Sequence, residues 1–497
     1  MTGANPTDAD RTRPYGAAFF ALLAIAAVAR LVALLHFPNI MSTEGEEYSK
    51  LQLFMQWIAN DNLYPDTNFG PLHMLLFWPT AKLFGHAAMP NRVVTLLFAL
   101  ATFFPLHALV RRIAGDTAAL TAMALAALSS LLVIIGVNTL AEGPCLFFLV
   151  CALALFARMI DRHEMWRWRD AALFAACASA AGALRYEVWM FLPLWPLWLL
   201  ARRGFARAAA TGAMLAVFPI VHMAVTWKVS GHPFNFVLVS AATTSINAAV
   251  TPWDERALLW VQALARIEGW WLFGAAVLGV VYALVTGRAR FAAILYTFYF
   301  AVVEIQALRA AMAPELHRYA TFLVALSFPP IAVMLADAAR RVIRPARFAP
   351  VVAVSAALAL SASSLFYFEH VEQETHFFDE SFEIARRLRG AMTEGDRVFL
   401  GKESHPLIAV ESGFDWHHFR VPQYRRGEAA DAESVARIFA EWRPTLVLAT
   451  RHDPTFLTSA PVRFCEDTEL FGRVYSPVTA HGSWCLLRED GAAGIVP

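Results

Sequence analysis

Long apolar blocks alternate with short polar ones along most of this chain, and the blocks are long enough to cross a bilayer. Eleven of them fall near 16–37, 91–112, 117–136, 141–160, 169–185, 187–202, 208–228, 268–286, 290–311, 319–339 and 349–367, and each predicts a membrane-spanning helix. The segment 71–86 is also apolar, but it is short and interrupted by Pro79 and Lys82. It predicts a helix lying at the interface rather than crossing. After about residue 368 the pattern changes. FEIARRLRGAM has helical spacing and leads through Glu394-Gly395-Asp396 into RVFLG, while SVARIFAEW leads through Arg443-Pro444 into TLVLAT. Strand patterns recur near 462–476 and 483–488. Two helix–strand units with further strands predict a small α/β domain.

The expected fold is therefore mainly α. A polytopic transmembrane bundle occupies 1–368, with 38–90 as an outer loop bearing interfacial helices, and a small α/β domain occupies 369–497. Composition agrees: 58% of the 497 residues are hydrophobic and only 16% are charged, too apolar for an ordinary soluble protein. A net charge of +1, with no basic stripe and no Walker-type loop, argues against a nucleic-acid partner. The first block follows Arg11 and Arg13 as a signal peptide would, but it lacks a small-residue cleavage site and reads as an uncleaved first helix.

Orientation comes from the arginines. Arg111–Arg112, then Arg158 to Arg169, Arg202 to Arg207, Arg288 with Arg290, and Arg340 to Arg347 all fall on one side if the N-terminus is cytoplasmic and 71–86 does not cross. The C-terminal domain then lies outside the cytoplasm, where Cys465 and Cys485 meet oxidising conditions and a disulfide is open to them. Cys145, Cys151 and Cys177 fall within helices and read as packing residues. Only four of the 41 basic residues are lysines, which together with Ala-rich helices points to a high-GC bacterial source and hence an inner membrane.

The same orientation gathers the ionisable chemistry on the outer face. Glu44, Glu46 and Glu47 crowd together just past the first span, and Tyr48 and Lys50 follow. Acids against a membrane segment are costly unless they face water or a cavity. A second acid, Glu142, heads the fourth span beside Gly143 and Pro144, and two carboxylates meeting from separate loops would divide the work of a general base and a positioning group. For any one glutamate a solvated loop is the commoner explanation. Arg30, Arg185, Arg309, Arg318 and His317 form a cationic set whose alternatives are snorkelling, pairing with Glu187, Glu304 and Glu315, or clamping a phosphate at the membrane surface. Glu369 to His376 offers His and Glu at one-turn spacing, for which a solvated hinge is the simpler reading than a metal site. Asp415-Trp416-His417-His418 reads as a surface turn.

These residues resemble the GT-C class of integral-membrane glycosyltransferases, in particular the branch of aminoarabinose transferases and protein O-mannosyltransferases. The likeness rests on Glu44-Gly45-Glu46-Glu47-Tyr48 after the first span and Asn68-Phe69-Gly70-Pro71-Leu72-His73 opening the interfacial helix. It rests also on Glu142 at the fourth span and Arg318-Tyr319 opening a late one. The resemblance implies a sugar donor on a polyprenyl phosphate, inversion at the anomeric carbon, and a glycan, lipid or protein acceptor among the membrane lipids. Glu44 takes the family's catalytic acid position, with Glu47 and Glu142 supporting it. Tyr48, Asn68, His73, Arg185, Arg309, His317, Arg318 and Tyr319 would bind substrate. Two departures stand out: glutamate replaces the usual aspartate, and Asn68 stands where relatives place a metal-binding glutamate, which leaves the need for a divalent ion open. The rival readings are a non-catalytic envelope-glycan assembly protein and a lipid or sugar transporter. A transporter predicts pseudo-symmetric halves with ionisable residues at mid-membrane, and neither is evident.

Overall fold

The computed structural model describes residues 16–36, 46–60, 70–84, 88–161, 163–235, 256–310, 317–369, 371, 378–401, 406–421, 432–451 and 465–491. The first apolar block is α1 (Ala17–His36). The acidic stretch gives α2 (Glu46–Asn60), in which Tyr48, Leu51, Phe54, Met55 and Trp57 are buried at helical spacing. The helix expected from 71–86 is α3 (Pro71–Phe84), with proline at its first position where no N–H is needed. There follow α4 (Ala88–Ala101), α5 (Phe103–Ala114), α6 (Asp116–Leu128), α7 (Ser130–Ile135), α8 (Glu142–Ile160) and α9 (Trp168–Leu184). A 3-10 turn, Tyr186–Phe191, leads to α10 (Leu194–Arg203) and α11 (Phe205–Ser230). Then come α12 (Leu259–Thr286), α13 (Arg290–Ala310), α14 (His317–Val342) and α15 (Ala349–Ala362).

Eight helical stretches among the described residues are long and apolar enough to cross a membrane, and the chain is a multi-pass membrane protein. Of the other three expected spans, 169–185 is the continuous 17-residue α9, whereas segment 117–136 is broken into α6 and α7 at Ser129 and 187–202 is the 3-10 turn followed by the ten-residue α10. Apolar length reports a block's capacity to cross; a break inside the block leaves that length unchanged.

The break at Ser129 is fully buried, so the carbonyls it frees need partners. Arg30 supplies two of them, at Ala126 and Ala127. It is 2% exposed and donates from Nη1 to Ala26 and Ala127 and from Nη2 to Ala126 at 3.2 Å, and to Leu132 at 3.3 Å. Ser361 donates to the Leu125 carbonyl at 2.6 Å, and Ser364 accepts from the Ser130 amide at 3.0 Å. Arg30 is thus committed to backbone dipoles at the end of α6, the site a helix C-terminus offers a cation.

The chain divides into two compact units. One runs through residue 40, over 67–73 and from 92 to 370; the other comprises 41–66, 74–91 and 371–497. The second contains a six-stranded sheet built from β1 (Val398–Leu400), β2 (Phe419–Arg420), β3 (Leu446–Thr450), β4 (Thr468–Leu470), β5 (Arg473–His481) and β6 (Trp484–Glu489). The order is β2-β1-β3-β6-β5-β4, parallel across the first three strands and antiparallel thereafter. Both expected helix–strand units form: α16 (Asp379–Ala391) precedes β1, and α18 (Ala432–Arg437) precedes β3. Between them α17 (Pro406–Ser412) leads to β2, an addition for which the sequence pattern gave no strand. The expected surface turn at 415–418 is instead a 3-10 turn with Trp416 and His418 buried, His418 Nδ1 lying 2.9 Å from the Asp396 carbonyl. At the β5–β6 turn Gly482 has a φ of +56°, and the Glu380 carboxylate fills the place of its missing Cβ. That carboxylate accepts from Ser483 N at 3.2 Å and Oγ at 3.0 Å.

Two consequences of this unit are measurable. Cys465 and Cys485 form a disulfide closing a separation of 20 residues. Replacing both by serine is expected to lower the unit's stability by about 2–4 kcal/mol. Hydrogen exchange in β3 and β6 reads the loss, and unchanged protection would show the bond to be dispensable. Asp396 is the second case. Burial opposes its charge, but hydrogen bonds from Thr445 and Thr393, with the Arg488 guanidinium, overcome this and hold the carboxyl below its ordinary value of 3.8. A depressed carboxyl stabilises the fold above its unfolded value and loses that contribution as pH falls through the folded one. Protection of β1 should therefore decline as pH drops below about 3.8 in the native chain and be flatter in Asp396→Asn.

Candidate active site

Three site residues expected from widely separated segments come together in the first unit. Glu142 opens α8, where Pro144 sits harmlessly in the first turn and an acid suits the helix N-terminus. Gly143 is required there by close packing, since a Cβ would stand 2.7 Å from the Thr95 methyl. Arg185 leaves the end of α9 in extended conformation, its amide bonded to Ala181. Its Nη1 donates to Glu142 Oε1 at 2.8 Å, and its Nε donates to Glu187 Oε2 at 3.1 Å, with Nη2 bonded to Glu187 Oε1. The guanidinium carbon lies 5.1 Å from the centre of the Tyr319 ring at the start of α14. Tyr299 donates its hydroxyl to the Tyr319 carbonyl at 3.3 Å and ties that start to α13.

The cluster is enclosed: the Glu142 side chain is 0% exposed, Arg185 10% and Glu187 19%. Two carboxylates against one guanidinium leave it with one excess negative charge among the described residues. Among the described residues Glu142 Oε2 has no hydrogen-bond partner, and neither does either side-chain polar atom of Asn138, four residues earlier and fully buried. Glu187 was foreseen only as a pairing alternative for Arg185; the Arg-x-Glu spacing was the signal for a bidentate partner. Asn138 carried no signal beyond its place in a polar interruption.

Of the other expected residues, Glu47 and Tyr48 belong to the second unit and His73, Arg309, His317 and Arg318 to the first. Glu47 and Tyr48 are buried in α2, and the Tyr48 hydroxyl donates to Glu411 Oε1 of α17 at 2.9 Å while its ring meets Phe382 edge-on at 5.9 Å. His73 is buried in α3, and Arg309 is exposed in the last turn of α13. His317 and Arg318 are backbone positions in the first turn of α14 whose side chains lie outside the described part, as do Glu44 and Asn68 altogether. Among the described residues no three His, Cys, Asp or Glu side chains converge. Beside Glu142, Arg185 Nη1 occupies Oε1.

Comparison with known proteins adds to this geometry. The family model described as dolichyl-phosphate-mannose-protein mannosyltransferase matches residues 68–221, a stretch that contains His73, Asn138, Glu142, Arg185 and Glu187. A sequence search among curated proteins gives no significant match. Among solved structures, ArnT from Cupriavidus metallidurans bound to undecaprenyl phosphate is similar with a TM-score of 0.69 at 12% identity, over 95% of this chain and 98% of that one. The same protein in its apo state gives 0.62 at 12% identity and the same coverage. The Archaeoglobus fulgidus oligosaccharyltransferase in complex with zinc and sulfate gives 0.51 at 12% identity, over 86% of this chain and 68% of that one. The mainly helical membrane bundle and the small sheet domain are thus the architecture of these proteins, and the chain has the fold of the GT-C membrane glycosyltransferases, resembling the branch of ArnT and the protein mannosyltransferases.

Proposed function

We propose that the protein is an inverting glycosyltransferase that moves a sugar from a polyprenyl-phosphate donor to an acceptor at the extracytoplasmic face of a bacterial inner membrane. The observation that carries this reading is the enclosed Glu142–Arg185–Glu187 cluster at the head of α8, in a fold shared with a protein that binds undecaprenyl phosphate. A buried ion cluster is a poor way to gain stability, and inside a membrane bundle it marks a functional site. The Cys465–Cys485 disulfide supports an oxidising compartment for the C-terminal domain.

In this reading the acceptor hydroxyl or amine attacks the anomeric carbon as its bond to the phosphate oxygen breaks. Glu44 takes the acceptor's proton, and the lipid phosphate leaves. Glu47 and Glu142 orient the groups around that step. Arg185, already bonded to two carboxylates, holds Glu142 in place and keeps further N–H groups for substrate, with His317 and Arg318 of α14 on the phosphate side. Transfer from an undecaprenyl-phosphate sugar by the purified chain, with Glu44→Gln beside it, tests the proposal. Full transfer by correctly folded Glu44→Gln would remove Glu44 from the step. The absence of transfer by the unaltered chain to glycan, lipid A and protein acceptors alike would remove the reaction.

A further inference from the structure

Loops run over protein surfaces because their polar groups need water. The loop from Gly136 to Ala141 does the opposite, with every residue buried. Its backbone is partly self-bonded, Val137 N to the Ile134 carbonyl at 3.1 Å and Leu140 N to the Asn138 carbonyl at 2.7 Å. Its position is fixed from below by Arg30, whose Nε would lie 3.0 Å from a Cβ at Gly136, and from the side by Thr95 against Gly143. Asn138 is therefore held in a buried, packed setting, yet among the described residues its Oδ1 and Nδ2 have no partner, and Glu142 Oε2 at the end of the same loop has none.

One orphaned buried polar atom is a common irregularity; three within five residues are not. Each costs free energy unless something bonds to it. The three atoms offer one amide donor and two acceptors, the complement of neighbouring hydroxyl groups, each of which both gives and takes a hydrogen bond. Phosphate suits the place poorly, because the adjacent Glu142 and Glu187 outnumber Arg185 and a second anion would be repelled.

We infer that Asn138, together with the free Oε2 of Glu142, forms a subsite that binds adjacent hydroxyls of the transferred sugar and so selects which sugar is accepted. The inference rests on the glycosyltransferase reading above and names a specificity residue for it. Asn138 Nδ2 donates to one hydroxyl oxygen, Oδ1 accepts from its neighbour, and Glu142 Oε2 accepts from the next. A site built to bond hydroxyls discriminates strongly, since an analogue lacking one leaves its partner atom unpaired.

The experiment uses the full chain in lipid nanodiscs. Binding is measured for undecaprenyl phosphate and for undecaprenyl phosphate carrying mannose, glucose or xylose, followed by the mono-deoxy forms of whichever sugar binds best. Asn138→Ala and the milder Asn138→Ser are compared with the native chain. The expected result is an about 10–100-fold weaker affinity of Asn138→Ala for the sugar-bearing lipid, with undecaprenyl phosphate itself held within about twofold. One deoxy position should weaken the native chain similarly and leave Asn138→Ala unaffected, the coupling expected of direct partners. Equal losses for both lipids, or unfolding of Asn138→Ala and Asn138→Ser alike, would make Asn138 a structural residue and overturn the inference. Undiminished sugar binding would mean that the orphan atoms hold water only, which also overturns it. If the native chain binds neither undecaprenyl phosphate nor any of its sugars, the glycosyltransferase reading itself falls, and the subsite with it.

Discussion

Arg185→Met should destabilise the protein by about 3–5 kcal/mol, the largest single-residue stability effect expected in this chain. The substitution approximates the volume of the aliphatic stem and removes only the charge and its donors. Glu142, with its side chain 0% exposed, then loses its 2.8 Å partner, and Glu187 loses both of its bonds to the same guanidinium. Two carboxylates are left without their shared counter-charge in a medium that solvates them poorly. The reverse change is milder, because Glu142→Gln still leaves Arg185 paired with Glu187. The double substitution Arg185→Met with Glu142→Gln should recover part of the loss, a coupling that separates the ion pair from mere packing. Thermal unfolding of the four proteins in one detergent measures it. Equal melting temperatures for Arg185→Met and the native chain would show that the cluster is solvated and not an enclosed ion network.

Glu44→Gln is expected to lower kcat by about 10²–10⁴-fold while leaving KM for the lipid donor nearly unchanged. The amide keeps the size and polarity of the side chain but takes no proton, so the loss falls on the transition state. Two comparisons sharpen the result. Glu47→Gln, three residues on and buried in α2, should cost less, since it is assigned a supporting part. Stability should be unaltered in Glu44→Gln, in contrast to Arg185→Met, so activity and folding part company between the two sites. A kcat within a few-fold of the native value would move the general base elsewhere.

The membrane helices were legible because apolar length survives in the sequence whatever the helix does within it, and the α/β domain was legible because the pattern changes visibly after about residue 368. What the pattern hid was the inside of the bundle. Nothing in LAALSSLLVI announces that the helix stops at Ser129, because serine is tolerated within helices and the break is held by Arg30 from about a hundred residues away. Arg30 itself read as one more membrane-edge cation; its commitment to carbonyls depends on which helix lies beside it, a tertiary fact. In the site, Glu142 and Arg185 stood out because charges at the ends of apolar helices are rare. Tyr319 was reached through the family resemblance rather than through its own chemistry. Asn138 was legible only as a polar residue beside Glu142 in an outer connection: an asparagine between two spans looks like any other until its burial is known. His418 misled in the same way, since a polar cluster of Asp, Trp and two His residues resembles a turn and only the 2.9 Å approach to the Asp396 carbonyl shows it to be interior.

The partnership between Tyr48 and Glu411 joins positions 363 residues apart. A ribosome adding about 5–20 residues per second needs roughly 20–70 s to cover that interval. Throughout that time α2 has been synthesised without the surface that Tyr48 finally packs against. Its maturation therefore waits for the last quarter of the polypeptide, and a product released early would lack a finished α2 however well its spans were inserted.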